Sequence, residues 1–385
     1  MSAREAGRFA RGASEASEAV WCEAVEEALR RGAGGLLFHH LRAAGVEPPA
    51  ELRAEHRRIA ISNAAWEAEL RRLGGALREE GVRVLLIKGA ALQESVYRDA
   101  GLRRMDDVDW VVRQEAELEA ATQALEALGY ERDETYSNLW ARGNLLIDLH
   151  RNVWGDERVV SRARLAGGGM NEGVWARSRS SFLGEPYRIP APEDHLLILC
   201  AHLMKHNFEP GIWFADLEAI LLQEERFDWK AALDRARAWG LVRPLSYAFR
   251  SMGALAAGGL GGAPPLLPEE VRGALEGVRP TRLDGFLLSL AARGRWIEGE
   301  KEEWEQPPVA NLLWLSSLEG LRAKARLLWE AAFPRGEVMG EIYPSYRPSL
   351  RWWFMARRAG DLLRLGAHLA PLLVGRGRGK KGRNR

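Results

Sequence analysis

Cysteine and lysine are both scarce in this 385-residue chain. Two cysteines, Cys22 and Cys200, cannot build a disulfide framework or a four-cysteine zinc site, and they read as the reduced thiols of a cytoplasmic protein. Only seven of the 55 basic residues are lysine. No stretch reaches the 18 consecutive apolar residues that a membrane span needs. No apolar segment follows Arg4 and Glu5, so no secretory leader is expected. No internal repeat is visible, and charge of one sign is not in excess: 55 Lys and Arg face 53 Asp and Glu, a net +2. Six of the basic residues (Arg376, Arg378, Lys380, Lys381, Arg383 and Arg385) lie in the last ten, so without them the chain carries −4. A mildly acidic body excludes a polycation built to coat nucleic acid.

What is present is ample apolar material, 46% of residues, enough for two or three domains. Residues 17–80 read as helical, with Val20, Ala24, Val25 and Leu29 at helical spacing and Pro48-Pro49 breaking the run before a long helix over 51–80. Val82–Ile87 has strand length and is followed by Lys88-Gly89 and a helical stretch to Tyr97. Residues 107–112 form a second strand, Glu115–Leu128 an amphipathic helix closed by Gly129, and Leu145–His150 a third strand. Ser161–Gly173 is a glycine-rich loop, and Trp175–Ile189, turning at Gly184-Glu185-Pro186, a β-hairpin. Helices fill 192–255 and 269–332 around a Gly/Pro linker at 258–268. The expected units are a helical region (1–80), a core (81–190), a larger helical domain (191–374) and a basic tail (375–385).

The strongest chemical signal is Met105-Asp106-Asp107-Val108-Asp109-Trp110, followed by Ile147-Asp148-Leu149-His150. Strand side chains alternate, so Asp107 and Asp109 share a face, and two such carboxylates repel unless a cation lies between them. Asp148 on a neighbouring strand completes a nest of hard oxygens suited to Mg²⁺ or Mn²⁺. Two ions held there suit in-line displacement at phosphorus. Lys88 and Gly89 end a strand and open a helix, whose N-terminus attracts phosphate. Lys88 is the only lysine in the first 200 residues. The plainer alternative for a lone Asp-x-Asp is a solvated strand end.

These motifs, Ile87-Lys88-Gly89, Arg104-Met105-Asp106-Asp107-Val108-Asp109 and Ile147-Asp148-Leu149-His150, resemble the family of uncharacterised nucleotidyltransferases, within the DNA polymerase beta-like superfamily. The resemblance implies an α+β fold: a small mixed-sheet nucleotidyltransferase core of the polymerase-beta palm type, embedded between mainly α-helical N- and C-terminal regions. It implies Asp107, Asp109 and Asp148 as catalytic metal ligands and Gly89 as the nucleotide-loop glycine. Where the superfamily carries Gly-Ser in that loop, this chain has Lys-Gly-Ala, and Lys88 takes over the serine contact. The implied reaction moves a nucleoside monophosphate from an NTP, ATP first, to a hydroxyl or phosphate of a small molecule, peptide, protein or tRNA. The alternative on the same fold is a catalytically inactive protein that binds a nucleotide or a partner.

Other residues carry two readings each. Arg104 either reaches the donor phosphates or serves as a surface arginine. Asp106 matches no ligand position and is a helper or surface residue. His150 shares a face with Asp148 and either orients the acceptor, acts as base or stacks near the nucleobase, or is a hydrogen-bonded packing histidine. His195, His202 and His206 lie near one helix face; His202 and His206, with Asp216, either line an acceptor pocket or form a buried polar network. Fifteen tryptophans are many; Trp213, Trp229, Trp239, Trp314 and Trp329 are expected to pack helices, while Trp110 or Trp154 could flank the base. The basic tail is a solvated end, with contact to RNA or acidic phospholipid as the lesser reading.

Overall fold

Each apolar run read as a strand becomes part of one sheet, and the long helices pack on its two faces. The structure, a computed structural model, describes residues 17–134, 136, 138–154, 169–208, 211–223, 227–257, 267–291, 310–318, 320–343 and 345–374. Helices α1 (Glu18–Arg30), α2 (Gly34–Ala43) and α3 (Ala50–Glu79) come first. In α3, Pro49 stands at the N-cap, where a missing N–H costs nothing, and Leu52, Ile59, Trp66, Leu70, Leu73 and Leu77 make one buried stripe. Then follow β1 (Val84–Ile87), α4 (Lys88–Ser95), β2 (Val108–Val111), α5 (Glu115–Ala127), β3 (Glu131–Arg132), β4 (Leu139–Arg142) and β5 (Leu145–His150). Gly129 has φ +79°, the left-handed conformation that ends α5 where the sequence predicts.

Beyond come α6 (Met170–Arg177), β6 (Arg179–Ser180), β7 (Tyr187–Ile189) and α7 (Pro192–Lys205). The seven strands run in the order β3-β4-β5-β2-β1-β7-β6. Pairing is parallel for β2 with β5 and for β1 with β7, and antiparallel elsewhere. This mixed sheet, flanked by helices, is the expected α+β fold. Val108, Trp110, Ile147 and Leu149 face α3 and α5. Leu85, Ile87 and Val111 face the opposite way, toward α7, which is buried nearly all round through Leu196–Ala201, Leu203 and Met204.

Helices α8 (Ile212–Gln223), α9 (Trp229–Ala238), α10 (Val242–Ala257), α11 (Glu269–Glu276), α12 (Arg282–Ala291) and α13 (Ala310–Trp314) follow α7. They are succeeded by α14 (Leu321–Ala332), α15 (Gly336–Ile342) and α16 (Arg351–Val374).

Several expectations change. The hairpin is shorter than predicted: Trp175–Arg177 belongs to α6, because Met170, Val174 and Trp175 fall on one buried helical face. The same helix takes residues 170–173 from the predicted loop, whose positions 161–168 lie outside the described residues. So do most of the 258–268 linker and the whole tail from 375. Trp110 is fully buried on the α3 side, the sheet face opposite Asp109, so strand alternation removes it from the base. Trp329 is exposed rather than packed.

Candidate functional site

Register assembles the carboxylates. Antiparallel pairing sets Ile87 opposite Asp109, and parallel pairing sets Asp109 opposite Asp148 and Val111 opposite His150. Asp109, Asp148 and His150 thereby share the α7 face, with Lys88 arriving at the end of β1. Asp107 stands one residue before β2, at the exposed mouth of the same cluster.

The groups are tightly coupled. The Lys88 ammonium is ion-paired with Asp109 Oδ1, and Asn138 Nδ2 donates to Asp148 Oδ1. His150 Nε2 lies 2.8 Å from Asp148 Oδ2 and 3.6 Å from Asp109 Oδ1. Neither approach is aligned as a hydrogen bond, and both ring nitrogens are buried without a hydrogen-bond partner. Burial alone would lower the Lys88 pKa, but Asp109, Asp148 and Asp107 together raise it. Burial likewise opposes charge on Asp109, yet Lys88 and then His150 hold its pKa well below the ordinary carboxylate range. For His150, burial is outweighed by Asp148 and Asp109, and the pKa rises to about 9. Asp107 reaches solvent at its tip but is hemmed in by protein; burial, then the Asp109 charge, push it up to about 6.

One donor atom from each of Asp109, Asp148 and His150 lies within 4.8 Å of the others. The two carboxylates fit a divalent cation, Mg²⁺ or Mn²⁺, through their oxygens, and the His150 imidazole joins them only by giving up the proton that its raised pKa retains. Asp107 is outside that tight group. Without a metal, the ammonium of Lys88 is the cation that Asp109 holds.

The backbone around Lys88 is unusual. Its φ is +51°, a left-handed conformation that costs a non-glycine residue roughly 1–2 kcal/mol. Its N–H donates to His195 Nε2 on α7 at 3.1 Å, so His195 is an acceptor and neutral at that nitrogen. Burial and the charge of Arg103 lower the His195 pKa to about 3. Gly89 is required for a reason absent from the sequence reading. A Cβ there would stand 2.6 Å from Arg103 Nη1. Arg103 in turn grips Asp216 on α8 through Nε and Nη2, each 3.0 Å from a carboxylate oxygen, and Tyr97 Oη donates to Asp216 Oδ1 at 2.7 Å.

Residues 17–256, 240 of the 385, match the family described as uncharacterised nucleotidyltransferases. The chain belongs to this family. No curated protein and no solved structure matches it.

The remaining expectations divide around this nucleotidyltransferase core. Asp216 does not face a pocket: it is fully buried, and both of its oxygens are taken by Arg103 and Tyr97. Arg104 is an exposed side chain paired with Asp106. His202 and His206 do come together, 4.5 Å between ring centroids, and both touch Trp213, His202 edge-on at 4.8 Å and His206 tilted at 4.7 Å. Burial holds His202 neutral by pushing its pKa well down, with the Lys88 charge adding to the effect. A small crevice, about 10 Å³ in volume and so room for roughly one water, lies beside Lys88, and Trp154, His202, Lys205 and Trp314 are among its walls. Trp154 packs edge-on against Trp314 at 5.1 Å, and both indole N–H groups lack a partner. Trp154 therefore keeps a place near the site that Trp110 loses.

Three neighbours of the site escaped the sequence reading as such. Arg103 was indistinguishable from Arg104 by pattern, and Trp314 lies 226 positions beyond Lys88. Asn138 sits just before β4, a strand with no alternating signal.

Proposed function

We propose that the chain is a metal-dependent nucleotidyltransferase that moves a nucleoside monophosphate, ATP being the first candidate donor, to a hydroxyl or phosphate of an acceptor, releasing pyrophosphate. The observation that carries this reading is the register of Asp109 against Asp148, with Lys88 delivered to the same point by the neighbouring strand. Asp109 and Asp148 hold Mg²⁺ or Mn²⁺, with Asp107 closing the nest from its mouth. When bound, the cation neutralises phosphate charge and makes the acceptor oxygen easier to deprotonate.

The protein's own groups do the rest. Lys88 leaves Asp109 for the triphosphate, a point charge exchanged from one anion to another. The first amides of α4, shaped by Gly89 and the His195 contact, offer donors to the same phosphates. Asn138 fixes the rotamer of Asp148, and His150 supplies a further donor or steadies that carboxylate. Asp148 accepts the acceptor's proton. The crevice past Lys88, with Trp154 and His202 on its walls, widens to take the base or the acceptor, since as it stands it has room for about one water. Arg104 contributes at most at the rim, because its partner is the exposed Asp106.

Incubation with α-labelled NTPs, Mg²⁺ or Mn²⁺ and an acceptor panel tests the assignment. Label transfer and pyrophosphate release in wild type, both lost in Asp109→Asn and Asp148→Asn, are expected. Transfer undiminished in those two variants would defeat it. Metal-dependent NTP binding without pyrophosphate release from any acceptor would favour the inactive nucleotide-binding alternative.

A further inference from the structure

The C-terminal helices lie beyond the residues that match the family, and they wear their apolar stripes outward. On α14, Leu321, Ala325, Leu328 and Trp329 follow the i, i+4, i+7, i+8 spacing of a core-facing stripe, yet Leu321 is 85% and Trp329 64% exposed. Arg322 and Arg326 border that stripe. On α16, Phe354 and Arg358 turn inward, whereas Trp352, Ala356 and Leu363 line an outer row, with Trp352 81% and Leu363 75% exposed. Trp353, Arg357 and Arg364 form the row beside it, and the Arg357 guanidinium lies 5.8 Å from the Trp353 ring. The two helices touch each other, and monomer surfaces seldom leave so many large apolar side chains open.

Charge selects the partner. Residues 321–374 hold nine basic side chains against four acidic ones, in a chain whose total is only +2. We infer that α14 and α16 form a peripheral docking surface for an anionic phospholipid bilayer. Tryptophan favours the water–lipid boundary, leucine inserts among acyl chains, and arginine reaches from an apolar row up to the headgroups. Three of the exposed residues on α14 and α16 are leucines (Leu321, Leu328 and Leu363), which have no ring to stack on a base; this favours a bilayer over nucleic acid. Among the described residues no helix is long and apolar enough to cross a membrane, so the contact lies in the interface plane.

Cosedimentation of the full chain with vesicles tests the inference. The first vesicles are of phosphatidylcholine mixed equally with phosphatidylglycerol, the second of phosphatidylcholine alone. Binding to the anionic vesicles, at least tenfold weaker to the neutral ones and weakened by salt, is expected. Trp329→Ser with Trp352→Ser should lower the anionic partition at least tenfold while leaving the far-ultraviolet circular dichroism and the melting temperature unchanged, since both rings are exposed. Brominated lipid should quench the tryptophan emission of wild type more than that of this variant. Three results would overturn the inference: no anionic-vesicle binding at low salt, binding that survives the double substitution, or the same substitutions abolishing tRNA binding or a concentration-dependent dimer while vesicles stay unbound. None of these outcomes depends on nucleotidyl transfer.

Discussion

Replacing Asp216 by alanine separates a structural role from a pocket role. The Arg103 and Asp216 side chains are 8% and 0% exposed, so the substitution leaves a guanidinium buried with two of its donors unmatched. The Tyr97 hydroxyl loses its acceptor as well. Breaking a buried ion pair by removing one member typically costs about 3–5 kcal/mol, most of it the stranded charge. With a urea m-value of about 3 kcal/mol per molar, the midpoint should fall by about 1–1.7 M, read from tryptophan fluorescence. The double replacement Arg103→Met with Asp216→Leu removes both charges and should recover most of that loss, because an apolar pair of similar volume is commonly neutral or better. An unchanged midpoint in Asp216→Ala, with ligand binding impaired instead, would refute the reasoning and return Asp216 to the acceptor pocket.

Three further outcomes follow from the same geometry. Gly89→Ala drives a Cβ into Arg103, which cannot yield without releasing Asp216, so a loss of about 1–3 kcal/mol is expected in the same urea titration. His195 titrates near 3 when folded and near 6.5 when unfolded, so the unfolded state binds the extra proton between those values and stability falls as pH drops below 6.5. At pH 5 this one group accounts for about 2 kcal/mol, and His195→Gln should show a correspondingly flatter stability profile between pH 7 and 5. Lys88→Met frees the Asp109 carboxylate while removing the phosphate's counter-charge; calorimetry should show tighter metal binding without nucleotide and weaker NTP binding, about tenfold or more each way.

Much of the core was legible because its signals are local. The apolar runs before Lys88 and around Asp109 and Asp148 have strand length. While the pairing of Asp109 with Asp148 is set by register, alternation alone places Asp107 and Asp109 on one face. The same rule, applied to Trp110, points it to the other side, which is where it lies. For Asp216 the structure selects the buried polar network, and the sequence could not choose because its partner Arg103 is 113 positions away. The insertion of β7 beside β1 is likewise set by a non-local contact, whereas the short β4 pairs with β5 locally, across the two-residue turn Gly143-Asn144. The Trp175 segment has the composition of a strand, but its spacing to Met170 and Val174 is helical, and packing decided between them.

The central claim is that Asp109 and Asp148 hold a metal ion for a nucleotide. Manganese titrated into the protein with a non-hydrolysable ATP analogue, followed by the loss of the free-ion electron paramagnetic resonance signal, tests it without knowledge of the acceptor. Saturable, nucleotide-enhanced Mn²⁺ binding is predicted for wild type and for Asp106→Asn, and its loss for Asp109→Asn and Asp148→Asn. Manganese bound equally well by all four proteins would contradict the claim.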